Sequence, residues 1–239
     1  MSAYFFSDAH LGVNPPNSIT FRENLLIEQL KKCCEEGASH IVLIGDLFEF
    51  WYEYKYYVTR DHMKLFRTLG DIVDSGVEVH YLMGNHDFAL GDFFETALGV
   101  HTGKDLTLNI QGKKLYFVHG DGLAKSDSGY RFFRRVIDFP LNRKLFSMLH
   151  PDLGMALAQR VGKNSRKYGE KRVIKIDEYL RYGNRMLKKQ NLDFFVHGHH
   201  HIPGIWNVPN GIVASPGQWL FTLNYLKLEN GNLELIQKR

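Results

Sequence analysis

Cysteine is nearly absent from this 239-residue chain: there are two, Cys33 and Cys34, and neighbours on one helix are poorly placed to bridge each other. A disulfide-stapled fold is excluded, and a reducing, cytosolic compartment is expected. Long apolar runs are absent as well. No window approaches the roughly 18 uncharged apolar residues of a spanning helix, which leaves surface attachment to a membrane open. Met1–Ser7 contains neither a basic stretch nor a small-residue cleavage site, so no signal peptide is expected. There is no internal repeat, low-complexity tract or Pro/Ser linker, and one domain spanning 1–239 is the economical reading. Hydrophobic residues at 44% and charged residues at 23% are ordinary for a globular protein and argue against disorder.

What is present is a set of short apolar runs that read as strands: Ala3–Ser7, Ile41–Ile44, Val79–Met83, Leu115–Val118, Phe194–Val196 and Ile212–Ser215. Thr20 with Glu23 reads as a capping box opening a helix whose Leu26, Leu30, Cys33 and Cys34 form one stripe, ended by Gly37. A second helix over about Asp61–Ser75 carries Leu65, Leu69, Ile72 and Val73. Strand and helix therefore alternate through the first 83 residues, which predicts an α/β core. Gln111-Gly112 and Asn230-Gly231 each separate two strand-like runs, Leu106–Ile110 from Lys114–Val118 and Thr222–Leu228 from Leu233–Gln237, and predict hairpins.

Between about 122 and 190 the pattern turns wholly helical, which predicts an inserted helical cap. Ser128 to Lys175 holds twelve Lys/Arg against three Asp/Glu, a local charge of +9 where the whole chain carries +4. A charge run is ordinarily a solvated helix face. Here Phe132, Phe133, Val136, Ile137, Phe139, Leu145, Phe146, Met148 and Leu149 are interleaved with the cations, which favours a binding surface.

Polar clusters of metal-ligand type stand at the ends of the strand runs: Asp8-x-His10, Gly45-Asp46, Gly84-Asn85-His86-Asp87, His119-Gly120-Asp121 and His197-Gly198-His199-His200-His201. Any one of them is ordinarily a cap or a satisfied polar group. Five at the carboxyl ends of strands converge on the crevice where α/β sheets place ligands. Asp8 with His10, and His199 with His201, alternate on what reads as extended chain, so each pair points one way. Imidazole with carboxylate suits Mn²⁺, Fe²⁺ or Zn²⁺ better than Ca²⁺. A bridging carboxylate, best assigned to Asp46, lets two ions sit about 3.5–4 Å apart.

In this order the motifs D-x-H, G-D, G-N-H-D, H-G-D and G-H-x-H make the chain resemble the calcineurin-like metallophosphoesterases, from Asp8 to His201. The resemblance implies a four-layer αββα sandwich of mixed sheets flanked by helices, and hydrolysis of a phosphoester by water activated between two divalent cations, most simply Mn²⁺. One cation would take Asp8, His10, Asp46 and His201, and the other Asp46, Asn85, His119 and His199. It also implies that His86 contacts the substrate phosphate and protonates the leaving oxygen, with Asp87 orienting it. His197, His200 and Cys34 are left as structural.

Within the superfamily the chain is most similar to the UDP-2,3-diacylglucosamine pyrophosphohydrolases of lipid A synthesis. Gly45-Asp46-Leu47-Phe48-Glu49-x-Trp51, the insert directly after Asp121, and Asn164-Ser165 near its end carry that similarity. It departs at His86, where that family has Arg, and at Tyr52-Glu53-Tyr54-Lys55, where that family has acidic residues after the Trp. The resemblance implies an acylated nucleotide-sugar substrate, a cytoplasmic enzyme peripheral on the inner face of the cell membrane, and cleavage to UMP and 2,3-diacylglucosamine 1-phosphate. Asn164, Ser165 and Arg172 become candidates for the head group, and Phe133, Phe146, Arg134 and Arg135 candidates for the rest of the substrate or an anionic membrane surface. A nuclease or other phosphodiesterase, using the basic insert on phosphates, and a phosphomonoesterase are the alternatives. Nucleic acid is the weaker partner, and no obligate protein partner is inferred.

Overall fold

The computed structural model describes residues 1–12, 16–124, 128–157, 160 and 175–238. Asn164, Ser165 and Arg172 lie outside the described residues. In chain order the elements are β1 (Ser2–Phe6), α1 (Pro16–Glu35), β2 (Ala38–Ile44), β3 (Trp51–Tyr52), α2 (Met63–Asp74), β4 (Glu78–Leu82), β5 (Asp87–Ala89), α3 (Phe93–Leu98), β6 (His101–Gly103), β7 (Asp105–Ile110) and β8 (Lys113–Val118). There follow α4 (Ser128–Asp138), α5 (Pro140–Ser147), α6 (Ile176–Gln190), β9 (Phe194–His197), β10 (Gly204–Val208), β11 (Gly211–Ser215), α7 (Trp219–Thr222), β12 (Asn224–Glu229) and β13 (Asn232–Gln237).

Side-chain alternation along these strands builds the layers. Tyr4 and Phe6 of β1, Ile41 and Leu43 of β2, and Val79 and Tyr81 of β4 face one way and bury the apolar stripes of α1 and α2. Their neighbours Ala3, Phe5, Val42, Ile44 and Leu82 face the other way, onto Leu115, Phe117, Phe194, Val196 and Ala214 of a second sheet. On that sheet's outer side Phe195 and Val213 meet Leu187 of α6. The sequence of layers is helix, sheet, sheet, helix. The first sheet runs β13-β12-β1-β2-β4-β6 and the second β10-β11-β9-β8-β7. Strands β1, β2, β4 and β6 are parallel, as are β8, β9 and β11, so their carboxyl ends lie on one side.

Both expected hairpins form, with Gln111, Gly112, Asn230 and Gly231 all at positive φ, as a tight turn between twisted strands requires. Thr222 closes the short helix α7 and so falls outside the second hairpin. The start of α1 also differs from expectation. The helix opens at Pro16, whose fixed φ suits a first turn, so Thr20 lies inside it and is no cap. The Glu23 carboxylate instead meets the His62 ring at 2.6 Å and ties α1 to the entrance of α2.

The helical stretch divides in two. Helix α6 packs on β9 and β11 through Tyr179, Gly183 and Leu187 and is the outer layer of the second sheet, so it is not part of a cap. At Gly183 a Cβ would come within 2.6 Å of Val213, which is how the helix lies this close. Helices α4 and α5, with residues 151–157, form the remainder among the described residues. Arg131 donates to the carbonyls of Gly122 and Ala124 in the loop after β8, and Tyr52, on the small two-stranded sheet that β3 makes with β5, donates to that of Arg143, fastening these helices to the body of the protein.

Candidate metal centre

The strand ends do not simply stop; they turn sharply and zip onto one another. Asp8 N donates to Gly45 O at 3.2 Å, His10 N to Asp46 O at 2.9 Å, and Gly198 N to His119 O at 2.8 Å. Asp8, His10, Asp46, His199 and His201 all sit at positive φ, between 43° and 71°, a region that side chains other than glycine visit at a cost. This corrects the expectation that Asp8/His10 and His199/His201 alternate on extended chain. Their side chains are brought together by left-handed turns. Gly198 has no room for a Cβ, which would fall within 1.9 Å of Ser7 Oγ, so the β9 loop can press directly onto β1.

Two donor groups result. In the first, Asp8 Oδ1 lies 3.2 Å from His201 Nε2 and 3.7 Å from His10 Nε2, and the two imidazole nitrogens are 3.4 Å apart. In the second, Asp46 Oδ2 is 3.3 Å from His119 Nε2, while Asn85 Oδ1 is 3.0 Å from His119 Nε2 and 2.7 Å from His199 Nδ1. Asp46 stands between the groups, because the same Oδ2 is 3.9 Å from His10 Nε2. All seven residues singled out as ligands by the sequence therefore fall into one cluster.

The set fits divalent cations. Donors that share an ion at about 2.1 Å sit roughly 3–3.4 Å from one another, which is the spacing seen here. Asp8 Oδ1 is buried and makes no hydrogen bond although two imidazoles flank it, so these atoms aim at a common point rather than at each other. The electrostatics agree. Burial opposes ionisation of Asp8, yet His201 and His10 outweigh it and hold the carboxyl well below the usual range. Asp46 is lowered likewise, by His119, His86 and His10 against burial. His10, despite burial, is pushed up to about 10 by Asp8, Glu49 and Asp46, and His119 well up by Asp46. His199 goes the other way, down to about 4, through burial and then His119, and is held as a neutral donor.

His86 borders the cluster. Its backbone N–H donates to Asp46 Oδ1 at 2.7 Å, and its Nδ1 lies 2.6 Å from the carbonyl of Glu49, which as an acceptor leaves Nε2 the nitrogen free to meet a ligand. Asp87 does not orient this ring. Its Oδ2 accepts from Asp46 N at 3.0 Å and Gly84 N at 2.8 Å, and its Oδ1 from the Tyr81 hydroxyl, so it braces the two loops from below. His86 lies in the turn just before β5, and Asp87, the first residue of that strand, is buried beneath it, held by these three hydrogen bonds. Burial, then Asp46, pushes Asp87 up to about 6.

Residues not anticipated complete the surroundings. Glu49 Oε2 is 3.4 Å from His10 Nδ1, making a third group with His10 and His86, and Ser7 Oγ bonds Asp8 Oδ2 and the Ile44 carbonyl. A carboxylate three residues after Asp46, set among Phe48, Phe50 and Trp51, was the available signal for Glu49. His197 and His200 are buried, the first stacked on Tyr179 and the second edge-on to it, off the donor groups.

Of the candidate substrate contacts, Arg134 reaches the cluster's edge: its Nη1 donates to Asn85 O at 3.1 Å, and its guanidinium stands 5.9 Å from the Phe88 ring centre. Arg135 is exposed. Phe146 is half-buried against Tyr52 at 4.6 Å and Phe50 at 6.1 Å, so it anchors α5 to the rim. Phe133 lies on α4, and only its backbone placement is described.

Cation-assisted phosphoester hydrolysis is the chemistry such donors serve, and a two-sheet sandwich that presents them from strand-end loops is the architecture of the metal-dependent phosphoesterases. More narrowly, the chain belongs to the calcineurin-like phosphoesterases, whose family profile matches residues 1–203. It is similar to a UDP-2,3-diacylglucosamine hydrolase of Porphyromonas gingivalis, 32% identical over 83% of this chain and 82% of that protein. A protein of the same name from Escherichia coli is 27% identical over 99% and 98% of the two chains. Among solved structures an archaeal phosphodiesterase superposes over 100% of both chains with a TM-score of 0.50 at 12% identity, a likeness of fold.

Proposed function

We propose that this enzyme hydrolyses the pyrophosphate bond of UDP-2,3-diacylglucosamine to UMP and 2,3-diacylglucosamine 1-phosphate, in the cytoplasm and at the membrane surface. One cation is held by Asp8, His10, Asp46 and His201 and another by Asp46, Asn85, His119 and His199; Mn²⁺ suits this mixed donor set. When bound, such ions polarise phosphoryl oxygens and make water acidic enough to attack at neutral pH. The chain's own groups do the rest. Asp46 keeps the two donor groups in one frame, and Asp87, through Asp46 N and Gly84 N, keeps that frame rigid. His86, whose Nδ1–H is held by the Glu49 carbonyl, would present Nε2 to the leaving oxygen and, as the doubly protonated imidazolium, pass its Nε2 proton to that oxygen as the anhydride P–O bond breaks, returning to the neutral Nδ1–H ring.

The observation that supports this substrate over a soluble one is the surface of α4 and α5 beside the donors. Phe132, Val136, Phe139, Leu141, Leu145 and Met148 are exposed there, with Arg134 at the inner rim beside Asn85. Exposed apolar groups at such density mark a binding surface. Acyl chains and a membrane suit it, and a phosphate backbone alone would not. No helix among the described residues is long and apolar enough to cross a membrane. The test is incubation with Mn²⁺ and UDP-2,3-diacylglucosamine, identifying the nucleotide released. UMP is expected; hydrolysis of simple phosphodiesters with no turnover of this compound would overturn the substrate while leaving the phosphoesterase intact.

A further inference from the structure

Between His199 and His201 stands His200, a histidine that the two donor groups leave out. The residues before it are tied to other loops: Gly198 N donates to His119 O at 2.8 Å, and His199 N donates to Asp8 Oδ2 at 3.0 Å. Past His199 the chain leaves the sheet. There His201 holds a φ of 61° with no strand ladder around it. The bond that closes this turn comes from a side chain, because Ile202 N donates to His200 Nδ1 at 2.9 Å. An imidazole Nδ1 and an asparagine Oδ1 stand equally far along their side chains. The bond therefore closes over His201 the same ring that an Asx turn closes over its central residue.

His201 is where such support matters. Its side chain is 39% exposed, whereas those of Asp8 and His10 in the same donor group are buried. Packing fixes those two, and His201 depends on its backbone turn for its direction. The His200 ring, in contrast, is clamped. It is 3% exposed, with ring centres of His197 at 4.6 Å, Tyr179 at 4.9 Å and Trp206 at 6.3 Å. Those rings come from β9, α6 and β10, so the second sheet and its outer helix hold the acceptor nitrogen in place. Because Nδ1 accepts, Nε2 carries the proton of the neutral ring, and it is buried without a hydrogen bond among the described residues. An apolar side chain would fill this pocket without leaving a donor unpaired. The histidine is explained by the one side-chain bond it does make.

We propose that His200 is a positioning residue of the metal centre: through Nδ1 and the Ile202 amide it locks the turn that aims His201 Nε2 at the point shared with Asp8 Oδ1 and His10 Nε2. The His200 ring itself meets neither ion nor substrate. Through it, the packing of α6 and β10 reaches the least buried member of the first donor group. The inference rests on the reading of His201 as a ligand and is independent of which phosphoester is cleaved.

Two substitutions separate the bond from the packing. His200→Asn keeps an acceptor at the same place and loses the ring, whereas His200→Phe keeps a ring and loses the acceptor. Mn²⁺ binding is measured by equilibrium dialysis of each folded chain, and hydrogen exchange at the Ile202 amide is followed in the metal-free state. His200→Phe is expected to bind one of the two equivalents about tenfold or more weakly and to exchange Ile202 faster. His200→Asn, though lower in Tm, is expected to stay close to the wild type in both. Where His200→Phe does not fold, His200→Leu, which likewise lacks the acceptor, takes its place. Wild-type affinity without the acceptor, or equal weakening in both variants, would reduce His200 to packing and overturn the proposal. A wild-type chain that takes up fewer than two equivalents would overturn the ligand reading itself, and the proposal with it.

Discussion

At the residue scale the cluster is a case of costly backbone held in place by its neighbours. Asp8, His10, Asp46, His199 and His201 occupy left-handed φ, and the reciprocal bonds between their loops hold them there. Asp46 serves both donor groups. Asp46→Asn keeps the size but removes the charge between them, so turnover should fall by at least about 10²-fold with circular dichroism unchanged. Near-normal turnover with full metal content would take Asp46 out of the bridging role. A second prediction concerns protons. With folded pKa values raised to about 10 for His10 and well above normal for His119, both rings are protonated at pH 7 in the metal-free chain. A cation must displace those protons, so Mn²⁺ added to unbuffered apoprotein should acidify the solution, and affinity should rise with pH through the neutral range. Metal uptake without proton release would show that the imidazoles are already neutral.

At the element scale the recurring unit is a strand that ends in a tight polar turn, and the helices between strands only return the chain. The exception is the pair α4 and α5, in which none of the described side chains is buried. Phe146 docks it on Tyr52 and Phe50, whereas Phe132, Phe139 and Met148 are 69%, 55% and 74% exposed. Changing these three exposed residues to Ser costs the fold little. It should raise KM for the diacylated substrate roughly tenfold or more, at about 0.8 kcal/mol for each CH₂ no longer buried, while hydrolysis of a small soluble phosphodiester stays unchanged. Equal losses on both substrates would reduce these residues to packing. Phe146→Ser, by contrast, should loosen the pair and impair both.

At the scale of the whole molecule, burial between layers sets the response to alkali. Burial pushes the Cys33 thiol from 9.0 up to about 12, and burial with Asp105 moves Tyr116 from 10.0 to about 12. Tyr225 is raised to about 12 by burial and then by Cys33 and Glu36. Each folded value exceeds the unfolded one, so the unfolded chain gives up its protons first. The stability these groups contribute is complete below about pH 9 and is lost as pH rises toward about 12. The urea midpoint should therefore fall steadily above pH 9 with an unchanged slope, and Cys33 should react with a thiol reagent only as that unfolding proceeds. A flat midpoint to pH 11 would contradict the burial of these groups.

Patterns that depend on near neighbours were legible in the chain itself: strand runs, both hairpin turns, the stripes of α1 and α2, and the polar clusters that follow the strands. Each rests on local chemistry, a two-residue turn at positive φ or a 3.6-residue stripe, that survives in any context. Separate loops had to meet before the rest could be decided. Only packing shows that Asp87 faces inward to Asp46 N, Gly84 N and Tyr81, that Glu49 joins His10 and His86, and that α6 covers β9 and β11 instead of capping the site. Thr20 and Glu23 read as a cap until the helix is seen to begin at Pro16, with Glu23 drawn away to His62. Phe146 and Phe132 are the same residue type in the same basic stretch, yet one is pinned between rings and the other open to solvent, because burial depends on which surfaces the completed fold brings together.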